Sequence, residues 1–585
     1  MKRLLALLIA ASVLLFAAGC GAQSTPSASE IPDSASVSES EAGEAQPSAE
    51  ETTAAAQIPE EEPETAEESS TSEEPAEPQE PDRPVIEYPA GNGETLSIFT
   101  MTPARVDSIT DIISFAQASE NTGVNIDWRE VSFMAYTENI GLMIASEDYT
   151  DMIVAFNASG NGNALGSLVT MDDAIDQNIL TDLTDYLPEY APDYYAYLQE
   201  DPGLLNEMKS LEGRIGSFYQ IYDGIVAIRG DVIRQDWLDE LGLEVPQTYD
   251  QLHDVLTAFK SAYDCSFPYL MNMNACDFYQ LNAGYGIPGY SCGENDLGMF
   301  VVDGKVQSTL LADGYREYIQ MLADWYSEGL FSQDFTTIIS GFMDGTRQQL
   351  LLTDQVGVSY VSNNGSVGYA SEANDPDFAL SPLPNITKAE GEQVHFIEDY
   401  SRLNTALNIF AACSNIELAC NYLNYFYTEE GSLLATYGVE GIDWEYNDQG
   451  EPTFTDKVMQ HETLTPNMAM QTVTMSSCWI GAYPMRIKTY FYTDQQYRNA
   501  ETWMSNADSE YMLIGVTSPL SDDVTEYNSK MSDITTYADT MVLSFITGAE
   551  PMSEWDGFIS TIKSLGIEDC VAAMQRAYDF RQENA

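Results

Sequence analysis

The chain has 585 residues, 93 of them Asp or Glu against 23 Lys or Arg, and a formal net charge of −70. This acid excess excludes nucleic acid as a partner and disfavours anionic surfaces, because both are held by clustered cations. At 44% hydrophobic and 11% aromatic residues, the chain has enough apolar surface for two large lobes.

Lys2 and Arg3 precede an apolar run from Leu4 to Ala18. At about fifteen residues it has the length of a secretory signal and is short for a bilayer span. It ends in "FAAGC", which resembles the processing site of bacterial lipoproteins. On that pattern residues 1–20 are a signal peptide and Cys20 is acylated and becomes the mature N-terminus. Ala17 stands where leucine is usual, and a plain secretory signal is the competing reading. Residues 21–93 are rich in Ser, Ala, Glu, Pro and Thr and poor in large apolar side chains. Such a segment cannot form a packed core and is expected to be a disordered acidic tether. As a flexible coil it would span about 45 Å.

Beyond the tether, "TLSIFTM" reads as a strand, residues 108–122 as a helix, "VNIDWREV" as a strand and residues 136–145 as a helix. "YTDMIVAF" is a third strand, ending in the loop "NASGNGNALG". Strands alternating with helices predict a parallel sheet covered on both faces, with ligands at the carboxyl ends of its strands. "VIRQDWLDELGLEVPQTYDQLHDVLTAFK" reads as helix, turn, helix. Ile233, Trp237, Leu238 and Leu241 fall at helical spacing, and Gly242 suits a left-handed terminal position. Pro246 blocks continuation, and Thr248 can cap a second helix with the stripe Leu252, Val255, Leu256 and Phe259. The second helix sets His253 and Lys260 against Asp250 and Asp254, so it is not a DNA reader. "VVDGKVQ" predicts a hairpin turn. Residues 313–331 predict a helix with Tyr318, Met321, Leu322 and Trp325 inward. "QVGVSYVSNNG" predicts a strand running into a polar loop, and the chain ends in helices.

Catalytic motifs are missing. The three histidines, His253, His395 and His461, form no HExxH; "NNGSVG" lacks the first glycine of a nucleophile elbow; no phosphate loop occurs. Counting acids alone leaves a glycosidase-type carboxylate pair open. Seven cysteines besides Cys20 show neither CxxC nor zinc spacing and read as free buried thiols, with a local Cys265–Cys276 bridge left open. No metal and no cofactor is expected.

"TGVNIDWREV", "LMIASEDYTDMIV", "IRQDWLDELGLEVPQTYDQLHDVLTAFK", "YSEGLFSQDF", "YLNYFYTEEGSLLATYGVEG" and "MSEWDGFISTIKSLGIEDCVAAMQRAYDF" together resemble the family 1 extracellular solute-binding proteins. More narrowly, they are similar to the large lipoproteins serving oligosaccharide ABC importers. The resemblance runs from about Leu96 to Arg581. It implies a two-lobed periplasmic-binding-protein-like α/β fold of type II, hinged to close over a ligand. The expected first lobe holds residues 94–225 and 397–470, and the second 226–396 and 471–585.

The resemblance also implies a binder rather than an enzyme. It would be a monomer, anchored to the outer face of the bacterial membrane through Cys20 and delivering an oligosaccharide to ABC permease subunits. A binder of another solute such as a peptide is the alternative; a glycan-active enzyme or an adhesive surface protein comes after it. Sugar faces stack on aromatics and hydroxyls pair with planar polar groups, a use that 35 tyrosines would suit. The lobe order places the candidate ligand contacts at Arg105, Phe156, Asn157, Ser159, Tyr219 and Tyr222. In the later loops it places them at Asp277, Phe278, Tyr279, Asn363, Asn364, Asp399, Tyr400, Arg402, Trp479 and Tyr483. Trp479, in "SSCWIGAYPM", is expected to stack on the sugar, and Trp237 to be core. Asn363 and Asn364 stand where related sugar binders often carry an aromatic. Arg105 and Arg402 are the only obvious cations among these positions, so the expected ligand is a neutral glycan.

Overall fold

The computed structural model describes residues 83–155, 162–166, 169–271, 281–287, 298–336, 345–397 and 401–584. In chain order these form β1 (Glu94–Met101), α1 (Ile113–Thr122), β2 (Val124–Val131), α2 (Tyr136–Ser146), β3 (Met152–Ala155) and β4 (Phe218–Tyr222). Next come β5 (Arg229–Arg234), α3 (Gln235–Leu241), α4 (Tyr249–Ala262), β6 (Phe267–Leu270), β7 (Met299–Val302) and β8 (Lys305–Ser308). The middle of the chain holds α5 (Asp313–Glu328), β9 (Val356–Ser362), α6 (Asn363–Glu372), β10 (Leu380–Pro382) and β11 (Leu403–Ile409). The last part holds β12 (Trp444–Tyr446), β13 (Pro452–Phe454), β14 (Gly481–Tyr483), α7 (Asp494–Met504), α8 (Ser521–Thr547), α9 (Trp555–Leu565) and α10 (Ile567–Asn584). Shorter helices and helical turns lie between.

Two sheets organise two lobes. The first has six strands in the order β14-β4-β11-β3-β1-β2, and the second four, β10-β5-β9-β6. In the first sheet only β11 runs against its neighbours; β1, β2, β3, β4 and β14 share one direction. In the second only β5 is reversed. Three segments join the lobes: residues 223–228 from β4 to β5, 383–402 from β10 to β11, and 484–493 from β14 to α7. The first two connect the carboxyl edge of one sheet to the carboxyl edge of the other, and the third leaves the carboxyl end of β14. Six residues reach at most about 20 Å, so the two carboxyl edges are close neighbours.

Each sheet has its own apolar core. Leu96, Ile98, Phe115, Val154, Phe218, Leu407, Tyr422 and Phe426 belong to the first. Ile233, Leu252, Leu256, Phe259, Tyr318, Leu322, Val358, Val542 and Phe558 belong to the second. The stripes expected on α4 and α5 are the buried faces of those helices. Trp237 is core, stacked on Tyr263 at 4.1 Å and under the Arg234 guanidinium at 4.3 Å.

The turn chemistry follows from local residues. Gly242 ends α3 with φ 66°, and Thr248 caps α4 in a reciprocal box with Gln251. Asp303 and Gly304, at φ 52° and 73°, make the β7–β8 hairpin turn, both residues having the positive φ that such turns favour.

Four expectations need correction. Ile233 is not helical: it sits in β5, opposite Ser381 and Val358, and the helix starts at Gln235. The tether does not reach residue 93, because Tyr88 packs edge-on against Tyr425 at 5.1 Å and donates to the Asn421 carbonyl at 2.9 Å. The first lobe does not end at residue 470, since β14 pairs with β4 and Met475, Cys478, Ile480 and Ile487 are buried in the first core. Asn363 and Asn364 open helix α6 rather than a loop, with Ser362 as its cap. No helix among the described residues is long and apolar enough to cross a membrane.

Candidate functional site

The carboxyl edges are where the chain assembles polar and aromatic groups from distant segments. At the first, β4 and β14 end together on Tyr222 and Tyr483, registered partners with ring centroids 5.8 Å apart. The Lys488 ammonium lies 3.9 Å from the Tyr222 ring centroid. Burial pushes both phenols well above their usual range, so they stay neutral and form the floor beneath the edge. Arg402 staples the second crossing segment to the first. Its Nε donates to the Tyr222 carbonyl at 2.6 Å, and its Nη1 pairs with Asp201 at 2.6 Å. The Tyr222 amide returns a bond to the Arg402 carbonyl at 3.0 Å.

The loop after β1 carries Arg105 in a left-handed conformation, φ 73°. Its Nε donates to Gln471 Oε1 at 3.0 Å. Beside it lies a groove of about 540 Å³ bounded by Asp107, Asp111, Lys457, Thr472 and Val473. Arg105 and Lys457 line it together with Asp107 and Asp111, and Lys457 is already paired with the buried Asp443 at 2.5 Å. The groove thus offers carboxylates and a hydroxyl with little excess positive charge.

Several predicted contacts are structural. Trp479 is a correction: it is 0% exposed and sits edge-on to Phe115 at 5.2 Å, Trp128 at 5.6 Å and Phe426 at 5.6 Å. Its neighbours Cys478 and Ile480 are buried in the same core, while Ser477 is exposed. Tyr219 is 0% exposed, and its carbonyl accepts the Tyr427 hydroxyl. A Cβ on Gly162, at φ 62°, would stand 2.3 Å from the Tyr219 hydroxyl, so only glycine lets the backbone at this position approach the ring. Asn363 is 1% exposed. It donates to the Gln496 carbonyl at 2.9 Å and accepts from Asn499 at 3.0 Å, locking α6 to α7. Asn364 is exposed and accepts from Gln496 at 2.8 Å.

Phe156, Asn157, Ser159, Asp277, Phe278, Tyr279, Asp399 and Tyr400 lie outside the described residues, as do Cys20, Cys276, Cys292 and residues 1–82. Of the rest, the edge of the first sheet gathers Arg105, Tyr222, Arg402 and Tyr483, and the edge of the second Asn363 and Asn364.

Sequence reasoning missed the buried amides that brace the first sheet away from this edge. Asn408 in β11 accepts from the Ala164 amide at 2.8 Å and donates to the Gly216 carbonyl at 2.8 Å. Gln220 donates to the Ser476 carbonyl at 2.8 Å. An amide inside an otherwise apolar strand was the available signal, since burial demands a partner for it.

The fold is thus two α/β lobes joined by three crossings at their carboxyl edges. Residues 106–432 match the model of the bacterial extracellular solute-binding proteins, and the chain belongs to that family. It is 24% identical to the fructooligosaccharide ABC transporter substrate-binding protein FusA of Streptococcus pneumoniae over 539 residues, 85% of this chain and 93% of that one. It is 24% identical to the polygalacturonan/rhamnogalacturonan-binding protein YtcQ of Bacillus subtilis over 330 residues, covering 53% of this chain and 61% of that one. In fold it resembles an extracellular solute-binding protein from Bifidobacterium longum subsp. infantis, with TM-score 0.66, 19% identity, and coverage of 83% of this chain and 98% of that one.

Proposed function

We propose that this chain is an oligosaccharide receptor of an ABC importer, held at the outer face of the cell membrane by a lipid on Cys20, and that its ligand is a neutral glycan which it binds without chemistry. The observation that carries the reading is the meeting of both carboxyl edges at three crossings, in a chain aligned with an oligosaccharide-transport relative over 85% of its length.

The relatives' names span a fructooligosaccharide and a polygalacturonan, and so do not choose between neutral and acidic ligands. The site supports the neutral choice. Arg402 is engaged by Asp201 and Lys457 by Asp443, and the net charge is −70. An acidic polymer would meet repulsion within a Debye length of roughly 8–10 Å, whereas neutral hydroxyls can donate to the carboxylates in charge-assisted bonds.

A thermal-shift panel of neutral and acidic oligosaccharides, at low and physiological salt, tests this. At a hundred times its dissociation constant a ligand stabilises by ~2.7 kcal/mol. Selective stabilisation by the acidic set, weakening with salt, would overturn the neutral choice; a response to peptides alone would overturn the glycan reading.

A further inference from the structure

The 383–402 crossing is tied to the turn after α7 by a small bridge. Val394 and Ala507 pair in parallel; the Val394 amide donates to the Asn506 carbonyl at 2.8 Å and the Asp508 amide to the Val394 carbonyl at 3.0 Å. Asn385 and Asn506 brace it, Asn385 donating to the Trp503 carbonyl at 2.8 Å and Asn506 to the Asn385 carbonyl at 3.0 Å. The next residue on each strand of the bridge is a metal-ligand type. His395 Nδ1 lies 2.9 Å from Asp508 Oδ1 and 3.5 Å from Glu510 Oε2. All three ligating atoms fall within 4.8 Å of one another, and no other such trio occurs among the described residues. The His395 ring rests on Tyr511, centroids 4.1 Å apart, which fixes its orientation. The side chains are 25%, 42% and 69% exposed, so an ion can enter from solvent.

The arrangement is ill-matched as a bare ion-pair cluster. Nδ1 carries at most one proton; Asp508 Oδ1 takes that contact and the Glu510 amide at 2.9 Å, which leaves Glu510 Oε2, 3.5 Å from Nδ1, without a share of the proton, whereas a cation between them would engage the nitrogen and both carboxylates. The donor set decides which cation. Calcium takes six to eight oxygens, whereas one imidazole nitrogen and two carboxylates with an open position suit zinc and its neighbours. Tetrahedral zinc with bonds of about 2.0–2.2 Å sets its ligands roughly 3.3–3.6 Å apart. The two Nδ1 distances need to change by only a few tenths of an ångström.

We propose that His395, Asp508 and Glu510 form a binding site for a divalent transition ion of the zinc class, water completing the fourth position, and that the ion clamps the 383–402 crossing to the second lobe.

The competing account is diffuse attraction of divalent ions to an acidic surface, and the test separates the two. Chelator-treated full-length protein is titrated with Co²⁺ and Zn²⁺. The proposal requires saturable one-to-one binding, a visible Co²⁺ absorption of tetrahedral type displaced by Zn²⁺, and a Zn²⁺-dependent rise in Tm. Ca²⁺ and Mg²⁺ should give no His395-dependent shift. His395→Ala should abolish the band. Glu510→Gln changes an exposed side chain and leaves the fold intact; it should weaken Zn²⁺ binding about tenfold or more, as loss of metal-site groups does. Equal Zn²⁺ affinity and Tm rise in the wild type and both variants, or no saturable binding, overturns the proposal.

Discussion

Trp479→Ala separates a core tryptophan from a ligand platform. A buried tryptophan removes ~150–250 Å² from water, which at ~25 cal/mol per Å² is about 4–6 kcal/mol. Its edge-on contacts with Phe115, Trp128 and Phe426 add to that. Against this, the indole Nε1 has no hydrogen-bond partner among the described residues, a standing cost of about 1–3 kcal/mol. The net loss for alanine should be ~3–5 kcal/mol, as in other tryptophan truncations. Trp479→Phe keeps an aromatic ring in the cluster, removes the unsatisfied N–H and leaves a smaller cavity than alanine, so it should cost clearly less than the alanine variant. Denaturant unfolding followed by circular dichroism measures both, and glycan titration of the remaining folded protein should show affinity nearly unchanged. A stable alanine variant with a large loss of glycan affinity would refute the reasoning and return Trp479 to the cleft.

Asn363→Ala should destabilise by about 2–3 kcal/mol, because the Gln496 carbonyl and one Asn499 hydrogen-bond donor lose a buried partner; exposed Asn364→Ala should stay within about 0.5 kcal/mol, and equal effects in denaturant titrations would contradict the α6–α7 lock. For Asp151, burial alone would raise the carboxyl, but bonds from the Ser414 amide and from the Ser97 hydroxyl and amide, each 2.7 Å, outweigh it and hold it below the usual range. Its stabilising effect is therefore present above the unfolded-state value near 3.9 and is lost as pH falls through the lower folded value. Melting curves from neutral pH down to about pH 3 should fall less steeply at the acid end for Asp151→Asn than for wild type. Cys20→Ala should release the protein from membranes or leave it unprocessed; normal processing and full membrane retention would remove the proposed anchor.

The elements read best from sequence are those whose local pattern and tertiary role agree. The stripe on α4, with its Thr248 cap and Gly242 stop, needs no distant information. Ile233 was misread because β5 passes directly into α3: a strand buried on both faces and the start of a helix share one apolar run, and periodicity cannot mark the joint. Trp479 was misread for the opposite reason. Its neighbours Ser476, Ser477, Gly481 and Ala482 look like loop chemistry, but Gly481 lets the chain pass close to Phe426, and the ring itself meets a cluster drawn from Phe115, Trp128, Tyr422 and Phe426, hundreds of residues apart in part. The carboxyl-edge position of Tyr222 and Arg402 was legible only from the lobe order that the family resemblance implies. Their burial and mutual stapling were not, because they depend on β11 running backwards between β3 and β4.

The most direct test of the central claim is native mass spectrometry of the purified chain before and after exposure to a glycan panel. The account predicts a one-to-one complex whose added mass is that of a neutral oligosaccharide, with the glycan recovered unaltered. A bound peptide with no glycan adduct, or cleavage of the glycan during incubation, would contradict it.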